Sequence, residues 1–171
     1  MPALSAAGIS AGPPAPIPMK IRAALEKFEA LAASLQSPLL LVIRLYWGWS
    51  FAQTGWGKFM RIDEVAAWFG DALHLPLPKL NAILAASTEL VGGVLLALGL
   101  FARVASVPLI GTMLVAYATA HREELAGIFR DPEAFLGAAP FTYLAASVVV
   151  LAFGPGRFAL DAWRARRAPA G

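Results

Sequence analysis

The chain has 171 residues, which is enough for one domain of ordinary size. It is 58% hydrophobic and 15% charged, whereas a soluble domain has about 45–50% apolar and about 25% charged residues. This composition disfavours both a soluble cytosolic enzyme and a disordered chain. Without cysteine, the chain has no disulfides, thiolate metal sites or cysteine-ligated iron–sulfur clusters. The net charge of +3 is typical of a membrane protein with basic cytoplasmic ends, so nucleic-acid binding is not predicted.

The first part of the chain is polar or amphipathic. Residues 1–18 are rich in Ala, Gly, Pro and Ser and carry no charged side chain, which predicts a disordered tail. Over residues 19–37 apolar side chains recur at spacings of three and four, with charged side chains off that stripe. This pattern predicts an amphipathic helix on the membrane surface, and Pro38 is expected to end it.

Four apolar stretches follow, each close to the length of about 17–25 residues that a membrane-spanning helix needs. They run over residues 39–58, 80–99, 103–120 and 140–154. The second and third are expected to form a helical hairpin that turns at residues 99–103. Short amphipathic helices are expected in the longer loops, over residues 62–73 and within residues 121–140. Residues 38–163 are thus predicted to form an all-α integral membrane four-helix bundle, followed by a basic tail over residues 164–171.

The distribution of charge predicts the orientation of this bundle. Four spans place both ends of the chain on the same side of the membrane. Basic residues dominate that side, whereas those in the opposite loops are outnumbered by acidic residues. The positive-inside rule therefore predicts that both termini are cytoplasmic in a bacterial inner membrane.

Ionisable residues inside the predicted spans carry the most information, because a charge in hydrocarbon must face protein or water. Arg44 and Lys58 share one face of the first span with several glycines, and Glu89 and Arg103 share one face of the second. Glycine allows helix backbones to approach closely. Both stripes are expected to face the centre of the bundle, and Gln53 adds a hydrogen-bonding group to the first span.

Two basic residues compete to pair with Glu89. Helix heights favour Arg44 as the partner of Glu89; the alternatives are Lys58, or neither of the two. The set Arg44, Gln53, Lys58 and Glu89 has two interpretations: it fixes helix pairing, or it binds a quinone head group, a proton or a small polar ligand. In the second case, the face with these residues and Gly48 is expected to line the largest buried pocket, open toward the outer half of the membrane.

A second cluster is expected at the cytoplasmic face, after a glycine-rich turn at residues 154–157 that ends the fourth span. Asp161 is expected to pair there with Arg103 or Arg157, and the turn is expected to dock a partner. Both histidines fall in or beside the outer loops, so no metal or haem site is predicted. No nucleotide-binding loop or nucleophile motif occurs, and no catalytic residue is assigned.

Several short motifs keep a fixed order across the predicted spans. They are Arg44-x3-Gly48 with Gly55 and Lys58, Glu89-x2-Gly92-Gly93 with Gly99-Leu100 and Arg103, Met113 with Ala116, and Gly154-Pro155-Gly156-Arg157 ending at Asp161. Over about residues 38–163 this pattern resembles the DoxX family of small four-helix bacterial membrane proteins. That family is related to the small subunit of thiosulfate:quinone oxidoreductase.

The resemblance implies that the chain is a subunit of, or a partner to, a membrane oxidoreductase system that contacts the quinone pool. Quinone is then the expected ligand, and no cofactor ligand set is evident in the chain itself. The alternatives are a non-catalytic membrane scaffold or assembly factor, and a small-solute or proton carrier that uses Glu89. Expected partners are the lipid bilayer, a soluble or membrane redox protein and further copies of this chain.

Overall fold

The structure is a computed structural model that describes residues 18–167. Helices account for most of these residues, and the described part has no strand. In chain order the helices are α1 (Met19–Met60), α2 (Ile62–Asp71), α3 (Pro78–Leu98), α4 (Ala102–Thr119), α5 (Arg122–Ala126), α6 (Pro132–Gly137), α7 (Ala139–Phe153) and α8 (Leu160–Arg167). The tail predicted over residues 1–18 lies outside the described residues, except for its last position.

Helix α1 runs through Pro38 without interruption, so the predicted break at this residue is wrong. A proline inside a helix removes one backbone hydrogen bond and costs about 3 kcal/mol. Ending the helix here would free several more backbone groups at the edge of an apolar segment, where no water replaces the lost partners. The continuous helix is therefore the less costly arrangement. Residues 19–34 are exposed along their whole length, and their location on the membrane surface stays a prediction.

Within residues 18–167, three helices are long and apolar enough to cross a membrane: α1, α3 and α4. Helix α7 is also apolar but has 15 residues, slightly fewer than the about 17 that a span usually needs. Three predicted spans coincide with α3, α4 and α7 to within two residues at each end, and the remaining one lies inside α1. The all-α membrane fold is therefore confirmed.

Helices α1, α3, α4 and α7 pack around a small core. Helix α4 lies between α3 and α7, and α2 lies against α3. The ring of Phe51 in α1 contacts the ring of Tyr143 in α7 edge-on, with centroids 4.7 Å apart. The buried core residues are Phe51, Leu96, Ala102, Leu109, Met113 and Val150. Most other large apolar side chains point outward, as expected for helices that are surrounded by lipid.

Glycines bring α1 and α3 into backbone contact. A Cβ atom added to Gly48 would lie 2.6 Å from the backbone nitrogen of Ala97. A Cβ atom added to Gly93 would lie 2.6 Å from the backbone nitrogen of Ala52. No side chain fits at either position unless the helices move apart. The predicted close approach of the two glycine stripes is therefore confirmed.

The four-helix region has two different ends. At one, here called the turn end, α3 closes at Gly99 (φ +66°) and α4 begins three residues later, at Ala102. At the other, here called the loop end, α2, α5 and α6 form the two long connections, so the predicted loop helices are confirmed. Helix α8 belongs to the turn end, where the Asp161 backbone N–H donates to the Gly99 carbonyl oxygen. Residues 164–167, the first part of the predicted basic tail, continue α8.

Candidate binding cavity

An ion pair joins α1 to α3 in the loop-end half of the bundle. Nζ of Lys58 donates a hydrogen bond to Oε2 of Glu89. The Glu89 side chain is 3% exposed and the Lys58 side chain 29% exposed, so the carboxylate is the more deeply buried partner. The favoured pairing of Glu89 with Arg44 is therefore wrong, and the structure shows the alternative partner, Lys58.

The register of α1 against α3 explains this partner. Gly55 of α1 contacts the backbone of Leu90 in α3, which places Glu89 level with Gly55. Helical side chains lean toward the N-terminus of their own helix. Because the helices are antiparallel, Glu89 and Lys58, which lies one turn beyond Gly55, lean toward each other.

Arg44 belongs to the turn end and lies outside the cavity. Its guanidinium is fully buried beside Gly99 and donates to the carbonyl oxygens of Ala97 at 3.4 Å and Phe158 at 3.3 Å. A cation at this position satisfies a carbonyl in the last turn of α3 and complements the dipole of that helix. Gly99 is ten residues, or about 15 Å, along α3 from Glu89. Arg44 therefore ties three segments of the chain together and does not reach the ion pair.

The Lys58–Glu89 pair lies on the wall of a cavity of about 550 Å³. Toward the turn end, α3 and α4 are in close contact where the Leu109 side chain packs on Gly92. A Cβ atom added to Gly92 would lie only 3.0 Å from that side chain. Toward the loop end both helices line the cavity, and α1, α2 and α7 complete its walls. Most of the lining is apolar, so the ion pair is a polar anchor inside a largely apolar space.

The cavity opens sideways between α3 and α4. Leu84 of α3 and Val115 of α4 both line it, yet they are 54% and 53% exposed. Gly111 lines the same opening, and a Cβ atom added there would meet no atom within 4 Å. Exposed apolar side chains of spanning helices face lipid. The opening therefore lies on the face that these two helices turn toward lipid.

Sequence reasoning missed several other lining residues. Tyr143 comes from α7, Trp68 from α2, Thr88 from α3 and His121 from the turn between α4 and α5. Nδ1 of His121 lies 3.2 Å from a carboxylate oxygen of Glu124. The pKa of the Glu124 carboxyl is lowered, first by a hydrogen bond from the backbone N–H of Glu124 and second by the hydrogen bond with His121. Each of these residues is isolated in its own segment, so only the packing of the helices shows that they share one cavity.

The cavity contains only part of the face that was expected to line it. Lys58 and Glu89 line the cavity, but Arg44, Gly48 and Gln53 do not. Lys58 follows Gln53 by five positions, which turns the two side chains about 140° apart around the helix axis. Gln53 lines a second, separate groove instead. Arg44 and Gly48 share the inward face of α1 but lie too far toward the turn end.

At the turn end, Asp161 holds the start of α4. Its carboxylate accepts hydrogen bonds from the backbone N–H groups of Phe101 at 2.9 Å and Ala102 at 3.2 Å. Its own backbone N–H donates to the Gly99 carbonyl oxygen at 3.0 Å. Free N–H groups and the positive end of the dipole favour a carboxylate at a helix start. The carboxylate thus caps a helix.

The arginines predicted as partners of Asp161 bind elsewhere. Among the ion pairs of residues 18–167, Asp161 pairs with neither Arg103 nor Arg157, so this prediction is wrong. Nη2 of Arg103 donates to the carbonyl oxygen of Ala152 at 3.3 Å, and the backbone N–H of Arg157 donates to Oγ of Ser37 at 3.3 Å. Ala152 lies in the last turn of α7, so Arg103 satisfies a carbonyl group at the end of that helix. Partner docking at this turn stays a prediction.

The chain is similar to known membrane proteins over most of its length. The model of the DoxX family matches residues 39–122, a range that contains Arg44, Lys58, Glu89 and Arg103. The chain is 34% identical over 139 residues to the uncharacterized membrane protein Rv3486 of Mycobacterium tuberculosis, and this alignment covers 78% of the chain and 85% of that protein. No solved structure matches the chain.

Proposed function

Since the chain belongs to the DoxX family of membrane proteins, we propose that it binds a quinone head group beside Lys58 and Glu89, as a subunit of or partner to a membrane oxidoreductase system. One observation carries the proposal: the ion pair lies on the wall of a mostly apolar cavity that opens toward lipid. Ionisable residues inside a membrane are costly and usually functional. A lipid-soluble molecule with a polar head group requires this combination of apolar volume and polar anchor.

The cavity suits both parts of such a molecule. The Lys58 ammonium can donate hydrogen bonds to a carbonyl oxygen, and the apolar walls can hold an isoprenoid chain. The Glu89 carboxylate lies beside that ammonium and can hold a proton at the same position. A bound quinone supplies redox chemistry that is coupled to protons, and a partner protein exchanges the electrons in this proposal.

The proposal includes an orientation, with both termini on the cytoplasmic side of a bacterial inner membrane. Arg103, Arg157 and the arginines of α8 collect at the turn end, whereas α2 and α5 bring acidic residues to the loop end. The positive-inside rule supports a cytoplasmic turn end. Reporter fusions after residue 171 and beside Asp71 test the orientation. A C-terminal reporter that is active outside the cytoplasm would refute it.

Quinone binding by the purified protein is the decisive experiment. The probe is decylubiquinone, and the bound amount is measured in lipid nanodiscs after the free probe is removed. Glu89→Gln keeps the side-chain shape but removes the charge, and it is expected to raise the Kd at least about tenfold. Asp63→Asn is the matched control, because Asp63 pairs with Lys79 at an exposed site outside the cavity. Equal affinity of Glu89→Gln and the unchanged protein would contradict the proposal.

A membrane scaffold or assembly factor is the second candidate function, and the contacts of Arg44 favour it. The guanidinium hydrogen-bonds backbone carbonyl groups of the chain itself. A buried charge of this kind fixes helix pairing without any ligand. If the unchanged protein does not bind decylubiquinone, the Lys58–Glu89 pair has the same structural role and the scaffold function is favoured.

A further inference from the structure

A second groove lies on another side of the Lys58 side chain. It has a volume of about 430 Å³ and is lined by α1, α2 and α7. Most of its lining residues are polar or glycine, in contrast to the apolar lining of the cavity. Thr54, Lys58 and Tyr143 line both spaces. These three side chains therefore form the partition between them.

The groove extends from the loop end into the membrane-spanning part of α1. Arg61 and Val65 line it where α1 meets α2, and Ser50 lines it eleven residues before Arg61. That separation corresponds to about 16 Å along the helix. Ser50, Thr54, Gly57 and Arg61 follow one another at spacings of four, three and four, so they lie on one stripe of α1.

Hydrocarbon is an unfavourable environment for the polar side chains that line this groove. The Gln53 side chain lines the groove and is exposed. An amide that faces lipid loses its hydrogen-bond partners, which costs several kcal/mol by roughly the water-to-hydrocarbon transfer scale. Polar residues in spanning segments therefore face protein or a water-filled cavity. The groove offers Gln53 such a space, and it meets the loop-end surface at Arg61.

We propose that this groove is filled with water and gives water access to Lys58 from the loop-end surface. The partial exposure of Lys58 and the burial of Glu89 fit a pair whose ammonium faces water and whose carboxylate does not. The Lys58–Glu89 pair then separates an aqueous groove from a lipid-facing cavity. This inference goes beyond the proposed function, because hydration of the groove requires no quinone.

Cysteine labelling tests the groove directly, because the chain has no cysteine of its own. Ser50→Cys is nearly isosteric and places a thiol in the groove. Trp49→Cys is the matched control, since Trp49 is adjacent in the chain, is exposed and lines neither space. The probe is a cationic, membrane-impermeant methanethiosulfonate applied to the full-length protein in vesicles. Ser50→Cys is expected to react at least about tenfold faster, since a charged reagent enters water but not hydrocarbon and the thiolate is the reactive form.

A second pair of variants keeps the test independent of one substitution. Gly57 lines the groove, and its neighbour Trp56 is exposed and lines neither space, so Gly57→Cys is expected to react faster than Trp56→Cys. A lipid-soluble maleimide that labels all four variants shows that each thiol is present. Equal rates with the charged reagent within both pairs would overturn the inference. Labelling is measured without quinone, so failure of decylubiquinone binding and failure of groove hydration are separate results.

Discussion

Lys58 and Glu89 form one ion pair in two different surroundings: the ammonium is 29% exposed and the carboxylate is 3% exposed. Removing the lysine leaves a carboxylate inside the bundle, where it either stays charged in a low dielectric or takes up a proton. Removing the carboxylate leaves an ammonium that faces the polar groove. The two single substitutions are therefore not equivalent.

Lys58→Met is expected to lower the free energy of unfolding by about 3–5 kcal/mol, the usual loss when a buried charge loses its partner. Glu89→Gln is expected to cost less, because the remaining ammonium is partly exposed. The double variant is expected to lose less than the sum of both. Reversible unfolding in mixed micelles gives the three values. Strict additivity would show that the two side chains are not coupled.

The membrane fold was predictable because each helix leaves its own signal in the chain. Apolar length identified the spans, and Gly99 marked the turn between α3 and α4. The continuity of α1 through Pro38 was not predictable, because local preference for a break competes with the cost of freeing backbone groups in an apolar segment.

The candidate site was predictable only in part. The buried charges stood out, but the partner of Glu89 depends on the register of two helices that meet through Gly48 and Gly93. A shift of one turn moves a side chain by about 5.4 Å, and spacing within a helix does not fix its register against another. Residues such as Tyr143 join the cavity through packing alone.

Gly93→Ala is expected to destabilise the bundle by about 1–3 kcal/mol, the usual cost of overpacking. Its Cβ atom would meet the Ala52 nitrogen and the Gly48 carbonyl oxygen, both at 2.6 Å, and backbone atoms cannot move aside singly. Gly57→Ala is the control, because its Cβ atom would meet nothing within 4 Å. That change is expected to stabilise α1 slightly, by up to about 1 kcal/mol. Similar unfolding free energies for both variants would contradict the close contact of α1 with α3.

Asp161→Ala is expected to cost about 0.5–2 kcal/mol, as for the loss of a helix cap. Local opening at the start of α4 should speed hydrogen exchange of the Phe101 and Ala102 amides, which donate to this carboxylate. Asp131→Ala is the control, because Asp131 caps α6 through the Ala134 amide at 3.1 Å. Unchanged exchange at Phe101 in Asp161→Ala would show that the cap does not hold this turn.

Arg44→Ala is expected to lower the melting temperature without changing the affinity for decylubiquinone. The substitution leaves the carbonyl groups of Ala97 and Phe158 without their buried donor, and each such group costs about 1–3 kcal/mol. The cavity is unaffected because Arg44 does not line it. Kd values are compared at a temperature where the variant is fully folded. A large rise in Kd would contradict the placement of Arg44 outside the binding site.

Gly111→Trp is expected to obstruct access from lipid to the Lys58–Glu89 pair. Gly111 lines the opening between α3 and α4, and its missing side chain faces open space, so an indole fits there without a clash at Cβ. In nanodiscs this variant should bind decylubiquinone at least about tenfold more slowly or more weakly. Gly137→Trp is the control, because it introduces the same side chain into α6 at a position that does not line the cavity. A Cβ atom at Gly137 also meets nothing within 4 Å. Gly111→Trp keeps both members of the ion pair. If it binds the probe more slowly or more weakly while Gly137→Trp does not, the probe enters between α3 and α4. Unchanged binding kinetics in Gly111→Trp would mean that the probe reaches the pair by another path.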